Sequence, residues 1–262
     1  MRHEVITLPE TGVELETYLT DNRAVEPERR RPLVLIFPGG AYAYRSDREA
    51  EPVALRLLSL GIQSVVVRYS VAPARYPKAL EEAAEAVSYA RAHAEEWLCD
   101  PHRIAVLGFS AGGHAAAHIA LKWHTLPQQK GCRPDAMILA YPVITSGQYA
   151  HRGSIQNLLG PDNERLKSEV SLESFVTDET PPAFLWHTRE DSSVPPENTL
   201  LLATGLCRHG IPFELHIWQH GEHGLSLSND QVYPPDSPNI HPECQEWIEM
   251  AARWLRTLNG QG

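Results

Sequence analysis

Ser110 lies in "RIAVLGFSAGGHAAAHIALKW", where Gly108 and Gly112 complete the pattern G-x-S-x-G. An apolar run comes before it and an alanine-rich run after it, so the serine is predicted at a strand-to-helix corner. Such a corner holds its central residue in a strained backbone conformation, and the two glycines let neighbouring chains pass closely. A serine hydroxyl is a weak nucleophile until a base takes its proton, and that base needs an acid to orient it. Residues of both types follow later apolar runs. After "AFLWHT" comes "REDSSVP", with Glu190 and Asp191; after "FELHIW" comes "QHGEHGLSL", with His220 and His223. His223, followed by glycine and then "LSL", fits a loop base, with His220 as a supporting or structural residue. Ser110, Asp191 and His223 together would transfer an acyl group through a covalent serine intermediate.

That chemistry also needs donors for a developing oxyanion. In "LIFPGGAYAYRSD" an apolar run ends at Phe37, and Gly39 and Gly40 follow it without side chains to block inward-facing N–H groups. The N–H groups of Gly40 and Ala41, with that of Ala111 after the serine, are the candidate hole. Losing one such donor costs roughly 2.7–4 kcal/mol of transition-state stabilisation. Tyr42 and Tyr44, beside this loop, are candidates to line a substrate pocket, whereas Trp186 and Trp218 lie in apolar runs and read as core. His114 and His118, or His220 and His223, could suggest a metal site. Neither pair has a third ligand at a usual spacing, so no metal or cofactor is expected.

The elements that must position these residues alternate along the chain. "GVELETYL" places Val13, Leu15, Thr17 and Leu19 on one face, as in a half-buried antiparallel strand. Six continuous apolar runs follow, at 32–37, 63–69, 103–109, 135–141, 183–188 and 213–218, as suits strands covered on both faces. Helical segments separate them, including one from Tyr76 that stops at Trp97 and a closing "ECQEWIEMAARWLRTL". This order predicts an α/β fold: a single domain over 1–262 with about eight strands in a mostly parallel sheet flanked by helices, the first pair antiparallel or at the edge. Two irregular stretches, about 145–182 and 225–242, carry buriable apolar residues and read as lid-like insertions. Asp162 and Asp178 are expected on the lid surface. Arg45, Arg75, His102 and Arg103 are expected on a solvated surface, and the last helix is expected to pack on its own sheet.

A formal net charge of −10 argues against nucleic acid or an anionic membrane as partner. The four cysteines lie far apart without a C-x-x-C pair, and no stretch approaches the roughly 20 apolar residues of a membrane span. The N-terminal residues lack a signal-peptide core. A cytoplasmic protein with free thiols is the expectation; oligomeric state is not legible.

On these motifs the chain resembles the α/β-hydrolase family, in which the triad runs Ser, Asp, His along the chain. Within it, the chain resembles the small single-domain esterases related to acetyl xylan and feruloyl esterases. "FPGGAY" is similar to the family's oxyanion loop, "RYSVAPARYPKALEEAAEAVSYAR" to its Y-R-L-A-P segment and helix, and "DPHRIAVLGFSAGGHAA" to its nucleophile region. The Asp–His segment is similar too, and it favours Asp191 over Glu190 because Asp191 stands three residues before Val194-Pro195. Two positions depart from the pattern. Pro38 replaces a histidine, as in the acetyl-esterase-like subgroup. Ala41 replaces a third glycine, and is expected to offer its N–H from negative φ in a stiffer loop.

The resemblance implies a serine ester hydrolase for short acyl groups, acetyl first, with a small-molecule ester as substrate. An acetylated oligosaccharide would suit a cytoplasmic address. The same triad serves amidases, arylformamidases and peptidases of this fold, although such peptidases usually carry a large propeller domain that 262 residues cannot include. A hydrolase fold can also act as a receptor after losing a triad member, but all three members are present here.

Overall fold

A computed structural model of the chain describes residues 1–258 other than Gln128 and Asp162, so the expectation for Asp162 lies outside the described residues. The strands are β1 (Val5–Thr7), β2 (Glu14–Tyr18), β3 (Arg31–Phe37), β4 (Gln63–Val67), β5 (Cys99–Phe109), β6 (Ala136–Ala140), β7 (Ala183–Thr188) and β8 (Phe213–Trp218). The helices are α1 (Glu51–Ser59), α2 (Lys78–Ala92), α3 (Ser110–Lys122), α4 (Arg152–Leu159), α5 (Glu197–Arg208), α6 (Pro242–Gln245) and α7 (Trp247–Thr257).

Among the described residues the strands form one sheet in the order β1-β2-β4-β3-β5-β6-β7-β8. β1 and β2 run antiparallel at one edge, and β4-β3-β5-β6-β7-β8 are mutually parallel. The apolar runs follow from burial on both faces. Along β3, Leu33, Leu35 and Phe37 join the core beneath α2, α3 and α5, while Val34 and Ile36 join the opposite core beneath α1 and α7. From β3 the chain first crosses to β4 on one side and then to β5 on the other. The carboxyl ends of β3 and β5 therefore flank the crevice where the winding reverses, the usual ligand position in open α/β sheets.

The closing segment breaks at Glu246 instead of running as one helix. In α7, Trp247, Ile248, Ala251, Ala252 and Leu255 share one buried face on the chain's own sheet, as helical periodicity requires. Inside the 145–182 stretch, α4 buries Ile155, Leu158 and Leu159 in the same core as α2 and α3. This insertion is thus packed onto the body. Its helix begins with His151, whose imidazole accepts the Ser154 N–H at 3.3 Å. No described helix is long and apolar enough to cross a membrane.

Three of the four residues assigned to a solvated surface have inward partners. Arg45 donates to the Tyr69 carbonyl at 2.8 Å, Arg75 to that of Asn157 at 2.5 Å and Arg103 to that of Leu255 at 3.3 Å. Guanidinium groups reach backbone carbonyls across long stems, and sequence gives no sign of which carbonyl lies within reach.

Candidate active site

Ser110 is the first residue of α3, directly after β5, and takes φ of +53°. For a residue with a side chain this left-handed conformation costs about 1–2 kcal/mol, and the surrounding packing holds it. Gly112 makes the corner possible. A Cβ there would stand 2.0 Å from the Phe37 carbonyl oxygen and 2.4 Å from that of Pro38, so α3 lies directly against the end of β3.

His223 comes from the loop after β8, and its Nε2 lies 2.7 Å from Ser110 Oγ. Its Nδ1 lies 2.6 Å from Oδ2 of Asp191, which follows β7. Asp191 is 3 % exposed, and its Oδ1 accepts the N–H groups of Ser193 and Val194 at 3.0 and 2.9 Å. Burial alone would raise the Asp191 pKa. Hydrogen bonds from His187 and His223, with the positive charge those rings can carry, outweigh burial and hold it well below the usual carboxylate range. With the carboxylate ionised, Nδ1–H of His223 donates to it and Nε2 accepts from the serine hydroxyl.

The alternatives raised by the sequence are placed elsewhere. Glu190 turns outward to His220, its Oε1 3.1 Å from that ring's Nδ1, and both side chains are about half exposed. Asp178 is on the surface and pairs with His209 at 2.7 Å.

The Gly40 and Ala41 N–H groups donate to no protein acceptor among the described residues, and the Ala111 N–H lies in the first turn of α3, where helical N–H groups have no helical partner. One expectation is corrected: Ala41 takes φ of +55°, not a negative value, and Tyr42 after it also takes +55°. Tertiary contacts hold this unfavourable pair in place. The Asn157 side chain of α4 donates to the Ala41 carbonyl at 2.9 Å, and Ala72 N–H donates to the Tyr42 carbonyl at 2.7 Å. Tyr42 packs into the core. It is 2 % exposed, and its hydroxyl donates to His114 Nδ1 at 2.8 Å. Tyr44 is 63 % exposed.

The histidine pair on α3 is engaged in packing. His114 Nε2–H donates to the Val170 carbonyl at 2.9 Å, and His118 stacks on Tyr76 with ring centroids 5.4 Å apart. Among the described residues no group of three or more His, Cys, Asp or Glu side chains could hold a metal ion.

Several residues near the triad were not singled out from sequence. His187 is fully buried within β7, with Nε2 3.2 Å from Asp191 Oδ2 and 2.9 Å from the Val194 carbonyl. Its Nδ1 meets the Thr199 hydroxyl at 2.7 Å. Glu49, in the 3-10 turn Asp47–Glu49, is 3 % exposed and joins the oxyanion loop to Tyr141. Tyr141, just past β6, sets its ring edge-on to His223 with centroids 5.1 Å apart. His151 lies close enough for the charges of His223 and Asp191 to bear on it, but burial is the main cause of its lowered pKa. The one usable signal for these residues is position: Tyr141 falls just past the strand beside the serine's own, and His187 near the end of the strand that precedes Asp191.

The family model BD-FAE matches residues 18–206. Over 216 residues the chain is 35% identical to endo-1,4-beta-xylanase B of Butyrivibrio fibrisolvens, a match covering 78% of this chain and 34% of that protein. The first curated relatives are longer proteins, of which the match spans 34% to 44%. Among solved structures, the acetyl ester-xyloside bifunctional hydrolase from Caldicellulosiruptor lactoaceticus superposes with a TM-score of 0.83 at 39% identity, covering 96% of this chain and 90% of that one. The carboxylesterase Cest-2923 from Lactobacillus plantarum WCFS1 superposes with a TM-score of 0.87 at 29% identity, covering 98% of each chain.

Proposed function

The chain belongs to the BD-FAE family of α/β-hydrolases, and from that premise we propose that it is a serine carboxylic ester hydrolase for short acyl groups. The observation that carries this reading is the hydrogen-bonded relay from Asp191 to His223 at 2.6 Å and from His223 to Ser110 at 2.7 Å. Ser110 Oγ attacks the ester carbonyl while His223 Nε2 takes its proton, and the resulting imidazolium rests against the ionised Asp191. The N–H groups of Gly40, Ala41 and Ala111 receive the oxyanion. His223 then protonates the leaving alcohol, and a water deprotonated by the same ring releases the acid and restores Ser110. The relay completes both half-reactions with the chain's own groups.

An acetyl group on a carbohydrate is the substrate class we favour. Its support is the 39% identical neighbour, described as acting on an acetyl ester and a xyloside. The test is hydrolysis of p-nitrophenyl acetate, butyrate and octanoate by the wild type and Ser110→Ala, followed by acetate release from acetylated xylo-oligosaccharides. Acetate cleaved fastest, with Ser110→Ala at background, is the expected result. Octanoate cleaved faster than acetate removes the short-acyl assignment. Equal inactivity of both proteins on all three esters removes the esterase reading, and amides and formamides become the next substrates.

A further inference from the structure

We propose that Glu49 is a positioning residue for this reaction, fixing the peptide before the oxyanion donors and placing a buried negative charge behind His223. The inference rests on the hydrolase reading above. Glu49 Oε2 accepts the Gly39 N–H at 2.7 Å, and Oε1 accepts the Tyr141 hydroxyl at 2.7 Å. The Tyr141 oxygen in turn accepts the Ser226 N–H at 2.8 Å, three residues after His223. One carboxylate thereby joins the loop after β3, the end of β6 and the loop that carries the histidine.

Geometry explains why Gly39 is the residue held. A Cβ on Gly39 would stand 2.7 Å from Glu49 Oε2, 3.0 Å from the Phe109 carbonyl oxygen and 3.1 Å from the Ser110 Cβ. Its backbone is therefore wedged between Glu49 and the candidate nucleophile. With the Gly39 N–H committed to Glu49, the N–H groups of Gly40 and Ala41 beside it stay uncommitted among the described residues. The turn holding Glu49 is itself laced to the histidine loop, because Ser226 Oγ–H donates to the Arg48 carbonyl at 2.5 Å.

The groups facing Glu49 are few. Tyr141, Tyr69, Tyr233 and His223 lie around it, and Arg48 lies beside it with its guanidinium 4.6 Å from the Tyr233 ring centroid. Both carboxylate oxygens meet donors, which is the arrangement an ionised carboxylate requires. Burial raises the Glu49 pKa, while Tyr141, the Gly39 N–H and then the charge of His223 oppose that rise. A negative charge there stabilises the imidazolium that forms when His223 takes the serine proton.

The experiment compares wild type, Ser110→Ala, Glu49→Gln and Tyr141→Phe on p-nitrophenyl acetate from pH 5 to 9, with circular-dichroism melts of each. Wild-type activity absent from Ser110→Ala establishes the hydrolase reading before the other variants are scored. An inert wild type removes both readings together. Glu49→Gln keeps shape and removes charge. It is expected to melt as a folded protein, to lose about tenfold in kcat with KM within about twofold, and to move the acid limb of kcat/KM about half a unit lower. Tyr141→Phe, which keeps the carboxylate but breaks the link to Ser226, is expected to lower kcat with a smaller limb shift. Glu49→Gln with wild-type kcat and limb overturns the proposal. So does lost activity that follows lost folding, with the limb of the residual activity unmoved.

Discussion

Asp191 accepts from two backbone N–H groups and two histidines, and both histidine bonds reach the same oxygen. His187 Nε2 also meets the Val194 carbonyl and its Nδ1 the Thr199 hydroxyl, so Nε2–H donates toward two acceptors and the ring is held on both sides. It braces Asp191 while His223 stays at the surface of the crevice. Asp191→Asn is expected to lower kcat by roughly 10³–10⁴, since an amide presents the wrong partner to Nδ1–H. Steady-state kinetics on p-nitrophenyl acetate measure this. A second consequence concerns stability. The folded pKa of Asp191 lies below its unfolded value, so its contribution is full above about pH 4 and fades as pH falls through the depressed value. Urea midpoints should therefore fall less steeply below pH 4 for Asp191→Asn than for the wild type.

At the scale of elements, α4 acts on the candidate site through one side chain. Asn157 holds the Ala41 carbonyl, and Arg75 holds the Asn157 carbonyl from the other side. Asn157→Leu leaves Ala41 and Tyr42 in left-handed conformations without that restraint. We expect kcat to fall roughly tenfold while the melting temperature drops by only a few degrees, as kinetics and a melt on one preparation would show. Fully buried Asn198 makes a comparable joint. Its side chain accepts the N–H groups of Ile144 and Thr145 and donates to the carbonyls of Tyr149 and Pro195, tying the start of the insertion to the Asp191 loop. The corner between β5 and α3 tolerates less. Gly112→Ala would drive a methyl group into two carbonyl oxygens, and a loss of at least about 3 kcal/mol in urea denaturation is expected.

Across the whole molecule, acid stability is set by histidines as well as carboxylates. Burial lowers the His114 pKa to about 4, and burial, with His114 and Lys122 beside it, holds that of His118 well below the usual imidazole range. Both rings are neutral in the folded protein and take protons more readily once unfolded. Stability is then full above about pH 6.5 and is lost as pH falls toward the folded values, by up to about 3 kcal/mol for His114 alone. His118 offers the cleaner test, because its Nε2 has no hydrogen-bond partner among the described residues and its ring stacks on Tyr76. His118→Phe keeps the stack and removes the proton site. Its melting temperature should fall less between pH 7 and 4.5 than that of the wild type.

Alternation and run length in the sequence determined the strand succession, because a strand covered on both faces needs apolar residues throughout and a one-sided strand needs them at every second position. The G-x-S-x-G corner, and residues of acid and base type after β7 and β8, were legible because strand ends converge at one edge of a parallel sheet. The partners of those residues were not. Tyr42 stands beside the oxyanion loop in sequence, yet its side chain points into the core. Glu49 reads as one acid among several in "RSDREAEP", and only the fold buries it against Gly39 and Tyr141. The left-handed Ala41 likewise depends on Asn157, 116 residues away in the chain. Local chemistry is written in short stretches of sequence. Which carbonyl, carboxylate or ring meets it is decided by contacts between distant segments, and those exist only once the sheet has formed.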